Sequence, residues 1–97
     1  MQYMVIERFR NGEAVPVYRR FREKGRMAPE GLKYVSSWIT HDFCTCYQVM
    51  ECDDPNLLTE WISHWDDLVD FEVLPVMSSA EAVDALSPLS PHLTSPL

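Results

Sequence analysis

Glu7 and Glu72 are carboxylates in apolar company. Glu7 closes the run Met4-Val5-Ile6-Glu7, and Glu72 sits between Phe71 and Val73. Burial disfavours the charged form of a carboxyl group and lifts its pKa toward neutrality, where it can both take and give a proton. Both residues are therefore candidates for acid–base catalysis. The competing reading is structural: a carboxylate at a strand end, hydrated or paired with Arg8 or Arg10. Tyr3, Tyr34, Trp38 and Met50 are candidates for the wall of a pocket that takes a small apolar or aromatic molecule, because rings and thioethers offer broad polarisable surfaces. Gln48 carries a donor and an acceptor that need partners when buried, so it is the candidate for orienting a ligand. A subunit interface uses the same residue types, and composition alone does not separate the two readings.

Cys44 and Cys46, with His41 and Cys52 nearby, raise the question of a metal. The stretch reads as a strand rising ~3.3 Å per residue, so Cys44 and Cys52 would lie ~26 Å apart and could not share one ion. No metal site and no cofactor is expected. Free, partly buried thiols are expected instead, and an odd number of cysteines suits a reducing compartment, hence the cytoplasm. His41 falls in a connection, His64 on a charged helix face beside Glu60 and Asp67, and His92 in the C-terminal tail. His41 stands beside Glu7 and Glu72 as a candidate for proton transfer, against the reading of a solvated side chain, and the other two carry no pattern for catalysis. Trp61 and Trp65, four apart on a helix, read as core. A phosphate-binding glycine loop and a nucleophile elbow are both missing from the sequence.

These side chains must be positioned by one small domain. The chain has 97 residues, of which 46% are hydrophobic and 11% aromatic, a composition that excludes intrinsic disorder. No apolar run approaches the ~20 residues of a membrane span. The N-terminus lacks a basic region and a cleavage site, so no signal peptide is expected. A net charge of −7 argues against nucleic acid as the main partner. All eight basic residues lie between Arg8 and Lys33, and the chain up to Lys33 holds four acids, whereas the eleven remaining acids lie from residue 34 onward without a single Lys or Arg. The two parts are expected to pack together and pair their charges, Arg19, Arg22 and Lys24 of the first helix lying beside Glu60, Asp66 and Asp67 of the second.

Residues 2–8 alternate and are rich in Tyr, Val and Ile, which predicts a strand. Asn11-Gly12 is a turn signal, and Ala14, Val17, Tyr18 and Phe21 show helical spacing over 13–24. Pro16 is tolerated in a first turn, and Gly25 is a natural stop. Residues 32–40 and 43–51 read as two strands of a hairpin. Asp54 and Pro55 mark the start of a second helix, which runs to about 67. Residues 70–77 read as a fourth strand. Ser78 and Glu81 form a capping box for a short helix ending near 86. Residues 87–97 hold three prolines and three serines and read as a tail, leaving residues 1–86 as the single domain.

The order β-α-β-β-α-β, with a short helix after it, predicts an α+β, ferredoxin-like fold: a four-stranded antiparallel sheet with two helices on one face. Alternation assigns Met4, Ile6, Val35, Ile39, Tyr47, Val49, Phe71 and Val73 to the helix-covered face. The other face is then Tyr3, Val5, Glu7, Tyr34, Ser36, Trp38, Cys44, Cys46, Gln48, Met50, Glu72, Leu74 and Val76. Its apolar share is too large to leave in water, so a second copy is expected to cover it. A pocket near Trp38, Gln48 and Met50, edged by Glu7 or Glu72, is expected between the two sheets.

The layout is similar to that of the dimeric α/β-barrel superfamily, which includes muconolactone isomerases and antibiotic-biosynthesis monooxygenases. More closely, Met4-Val5-Ile6-Glu7-Arg8-Phe9, Pro29-Glu30-Gly31-Leu32 and Trp65-Asp66-Asp67-Leu68-Val69-Asp70-Phe71-Glu72-Val73 resemble an uncharacterised family of small stand-alone bacterial barrels. The resemblance implies a homodimeric barrel. It carries no reaction, because a fold does not fix a function. Three expectations follow: a barrel that binds a small apolar or aromatic molecule, a cofactor-independent monooxygenase or isomerase using a buried carboxylate, or a dimerisation module with a filled interior.

Overall fold

The computed structural model describes residues 1–89. Four strands, β1 (Gln2–Phe9), β2 (Lys33–Ile39), β3 (Thr45–Glu51) and β4 (Val69–Val76), form one sheet in the order β2-β3-β1-β4. All three neighbouring pairs are antiparallel. Helices α1 (Val15–Lys24) and α2 (Asn56–Ser63) follow β1 and β3, and α3 (Ser79–Leu86) follows β4. This is the ferredoxin-like βαββαβ arrangement with a short helix appended. Residues 90–97, which hold His92 and most of the Pro/Ser-rich tail, lie outside the described residues.

Local chemistry sets the boundaries. Pro16 stands in the first turn of α1, where its missing N–H costs nothing. Gly25 ends the helix at φ 70°, a left-handed conformation that glycine adopts without strain, and its N–H bonds Phe21 O at 2.7 Å. Asp54 Oδ1 accepts from Asn56 N at 2.9 Å in the turn that leads into α2, and Pro55, not Asp54, holds the N-cap position. That helix stops at Ser63, earlier than its apolar spacing predicts. Turns continue through Leu68 and keep Trp65 one turn beyond Trp61. Ser78 and Glu81 make the reciprocal capping box of α3. Among the described residues no helix is long and apolar enough to cross a membrane.

The core lies between the helices and one face of the sheet. It contains Val5, Phe9, Val17, Met50, Leu58, Trp61, Trp65 and Val69. Burying a side chain such as Val5 or Met50 contributes roughly 1.5–3 kcal/mol. Trp61 packs edge-on against Phe71 of β4, with ring centroids 6.0 Å apart. The predicted charge pairing is present but runs through a different residue. Arg20 of α1 grips Asp67 with two hydrogen bonds, at 2.7 and 2.8 Å, and donates a third to His64 O at 3.0 Å. That guanidinium holds the Asp67 carboxyl down at about 2.

Strand register corrects the expected faces. Residues directly opposite in an antiparallel pair share a face. Glu7 stands opposite Cys46 and Phe71, Val5 opposite Gln48 and Val73, and Tyr3 opposite Met50. These residues all lie under the helices. Met4, Ile6, Tyr47 and Val49 lie on the open face, with Glu72 and Leu74. The faces of β1 and β3 are thus the reverse of expectation, whereas Phe71, Val73, Glu72 and Leu74 of β4 are as expected. Both alternating sets in β1 are apolar, so hydrophobicity does not choose between them there. On β2 a register shift between Tyr34 and Ser36 moves Tyr34 onto the helix side, opposite Met50, while Trp38 stays on the open face opposite Tyr47.

Candidate functional site

The strand alternation that buries Val5 also carries Glu7 beneath the helices, and Gln48 follows from β3 by the same register. Glu7 is 8% exposed and Gln48 4%, and they are the two buried polar residues among those described. They satisfy one another: Gln48 Nε2 donates to Glu7 Oε2 at 2.6 Å. The other end of the same amide is also engaged, since Arg26 Nε donates to Gln48 Oε1 at 2.8 Å. A line Arg26–Gln48–Glu7 therefore runs from the loop after α1 across β3 to β1, and its two ends fix which way the Gln48 amide points.

Arg26 is held from both sides. Its backbone carbonyl accepts from the indole N–H groups of Trp61 and Trp65, each at 3.0 Å. Its guanidinium lies 3.7 Å from the centre of the Tyr34 ring and 5.1 Å from that of Phe21. Such cation–π stacking suits arginine, whose planar group is weakly hydrated on its faces. The bulge in β2 brings Tyr34 into this position, and its hydroxyl is 2.7 Å from Ser37 Oγ. Among the described residues no carboxylate lies within ion-pair distance of Arg26.

Beside this line is a pocket of about 180 Å³, bounded by the sheet, by Val17, Tyr18 and Phe21 of α1, and by Trp61 and Trp65. A cavity of roughly 150 Å³ accommodates benzene, so this volume suits one substituted ring. Glu7 and Gln48 line it together with Arg26, Ser37 and Cys46. Glu7 Oε1 has no hydrogen-bond partner among the described residues. No buried side-chain oxygen is unsatisfied among the described residues, so Oε1 is not fully enclosed, and Glu7 is one of the residues lining the pocket.

Electrostatics give the carboxyl an unusual set point. Burial pushes Glu7 up from 4.5 to about 7, against the opposing pull of the Gln48 hydrogen bond and the Arg26 charge. Burial, with the Glu7 charge, pushes the neighbouring Cys46 thiol up to about 12, so it is not an activated nucleophile. Burial also raises the Tyr18 hydroxyl above its ordinary value. Glu7 is thus a buried carboxyl that changes charge near neutrality, with an apolar wall on one side and a fixed cation on the other.

The candidate residues fall into two groups. Glu7, Gln48, Met50, Tyr3 and Tyr34 share the helix-covered face. Of these, Glu7 and Gln48 line the pocket, Tyr34 stacks on Arg26, and Met50 is fully buried in the core. Trp38 and Glu72 are on the open face, where Glu72 pairs with Arg8 at 3.0 Å. The pocket expected around Trp38, Gln48 and Met50 does not form, because the sheet itself separates Trp38 from the other two. His41 is exposed in the β2–β3 turn. Cys44, Cys46 and Cys52 are free thiols. The sequence does not mark Arg26 as a site residue. Its only signal there is a basic residue placed between a helix-stopping glycine and the apolar Met27-Ala28.

A family model described as a domain of unknown function (DUF3303) matches residues 1–90. No curated protein and no solved structure matches the chain.

Proposed function

The chain belongs to the family described as a domain of unknown function (DUF3303), a description that assigns no chemistry, and we propose from its geometry that it binds a small apolar or aromatic molecule in the pocket between the sheet and its helices. The observation that carries this is the Arg26–Gln48–Glu7 line laid along an aromatic-walled cavity of one-ring size. Aromatic walls supply affinity, and the few convergent polar groups supply orientation, which is the usual division of labour in a small-molecule site. Benzamide is a suitable first probe. Its binding should alter the fluorescence of Trp61 and Trp65 in a saturable way. A Val17→Phe variant, whose added ring fills the cavity, should lose that response while keeping the wild-type circular dichroism. If fluorescence stays flat through the solubility limit of benzamide, the pocket is not a binding site for small aromatics.

A second reading, proton-transfer catalysis of the monooxygenase or isomerase kind without a cofactor, is favoured by one feature. Burial lifts Glu7 to about 7, and the residue lines the pocket with one carboxyl oxygen free of any hydrogen bond among the described residues. Such a base should speed exchange of the acidic C–H protons of acetylacetone in D2O, and Glu7→Gln should abolish the acceleration. Equal rates in the two proteins would leave binding as the sole role.

We further propose that the protein is a homodimer of the dimeric α/β-barrel kind, joined through the open sheet face. Met4, Ile6, Tyr47, Val49, Trp38 and Leu74 together make that face apolar. Three free thiols suit a reducing compartment, and a cytoplasmic location belongs to the same proposal.

A further inference from the structure

The pocket contains one fixed positive charge and one negative charge that a proton can remove. We propose that its ligand is a small aromatic monoanion, a single ring bearing one ionised oxygen, and that Glu7 takes up a proton from solvent as the anion enters. This rests on the pocket being the binding site, as argued above.

Arg26 supplies the counter-charge. Its Nε is committed to Gln48, and the guanidinium lies against the Tyr34 and Phe21 rings. The terminal nitrogens make no side-chain hydrogen bond among the described residues. A ligand oxygen that reaches that edge lies beside the Gln48 amide, whose far end is 2.6 Å from Glu7. A second anion brought into this apolar site raises the cost of a charged Glu7 and so drives its protonation. The anion keeps its charge because it faces Arg26. Glu7 has only the indirect contact through Gln48, so Glu7 is the group that accepts the proton. The balance is one ligand anion and one proton in, with no group leaving. The protonated carboxyl then has an O–H to donate from Oε1, the oxygen that has no partner in the free protein.

Other groups facing Glu7 do not compete for this proton. From β3, Cys46 is pushed up to about 12, and from α1 the Tyr18 hydroxyl is raised, so both are already neutral at pH 8. The neighbour from β4 is Phe71, and the side chains from the α2 side are Trp61 and Trp65, none of which ionises. Arg26 stays charged throughout.

Isothermal titration of the full chain with benzoate, in buffers of different ionisation enthalpy, counts the protons taken up. With Glu7 at about 7 in the free protein, uptake should be about 0.9 proton per benzoate at pH 8 and about 0.1 at pH 6. Benzoate affinity should fall about tenfold per pH unit above 7, while that of neutral benzamide stays level. Glu7→Gln should bind benzoate with no proton uptake, and Arg26→Met should weaken benzoate far more than it weakens benzamide. Benzoate binding without uptake at pH 8, or benzamide binding to the wild type at pH 6 where benzoate does not bind, overturns the inference and leaves the pocket standing. Failure of both probes overturns the pocket as well.

Discussion

Replacing Glu7 by Gln should stabilise the protein by about 3 kcal/mol at pH 8 and by almost nothing at pH 4. The size follows from the shift of the carboxyl from 4.5 to about 7, at about 1.4 kcal/mol per pKa unit. The folded state holds this proton more tightly than the unfolded chain does. The stability contributed by neutral Glu7 is therefore complete below about pH 4.5 and is lost as the pH rises through 7. Above that, folding must bury an anion whose solvation Gln48 and Arg26 only partly replace. Glutamine at the same position still accepts from Gln48 Nε2 and never ionises. A different window belongs to Asp67, held down at about 2 by Arg20. Its contribution is present above pH 4 and is lost on acidification, equally in both proteins. Urea titrations at pH 5 and pH 8 check this. If wild type and variant lose the same stability between those values, Glu7 is not a desolvated carboxyl.

That a carboxyl is kept at this cost is consistent with its place in the site, since functional positions are where local rules are broken. It also explains which parts of the fold are legible in the sequence. Element order is readable because its signals are local: the Asp54-Pro55 helix start, the Gly25 stop, and the Ser78 to Glu81 capping box all operate within a few residues. The faces of β4 are readable because Glu72 and Leu74 stand against Phe71 and Val73 with a clear difference in one pair. In β3 the same rule misleads. Tyr47 and Val49 are the more apolar set, yet Gln48 goes inside because Glu7 and Arg26, 41 and 22 residues away, satisfy its amide. In β1 Met4 and Ile6 compete evenly with Tyr3 and Val5, and one residue of register flips every side chain.

The site was half visible for the same reason. Glu7 and Gln48 could each be singled out by type and setting, but their contact depends on the pairing of β1 with β3, which is set by tertiary packing. Tyr34 reaches Arg26 only because of the bulge in β2. No turn signal marks that bulge, as Val35-Ser36-Ser37 is an ordinary strand sequence. Arg26 owes its position to two indole N–H groups contributed from residues 61 and 65. The sequence identifies those tryptophans as core, and their polar edges then do the positioning.

Trp38→Asp should convert the proposed dimer to a monomer. In one copy Trp38 on β2 is 60% exposed, Tyr47 opposite it on β3 39% and Leu74 on the far strand β4 44%, and Met4 and Ile6 of β1 lie between, so apolar side chains occur across all four strands of the uncovered face. Exposed apolar patches of this extent mark interaction surfaces. A two-fold symmetric contact between two such sheets would use each residue twice, and an aspartate at position 38 would enter the interface from both copies. Burying a charge without a partner costs about 3–5 kcal/mol, so dissociation should rise by more than ~100-fold even if a single site is affected. The fold of each copy should survive, because Trp38 lies outside the core and its neighbours on the helix side, Ser37 and Ile39, are unchanged. Size-exclusion chromatography with light scattering distinguishes the states. The wild type should run at twice 11.3 kDa at micromolar concentration and the variant at 11.3 kDa. A wild-type protein that is monomeric under those conditions would mean that the open face is covered by something other than its own copy, and the homodimer would have to be abandoned. The pocket, which lies wholly on the other side of the sheet within one chain, would be unaffected by that outcome, so the benzamide response of the Trp38→Asp monomer should match the wild type.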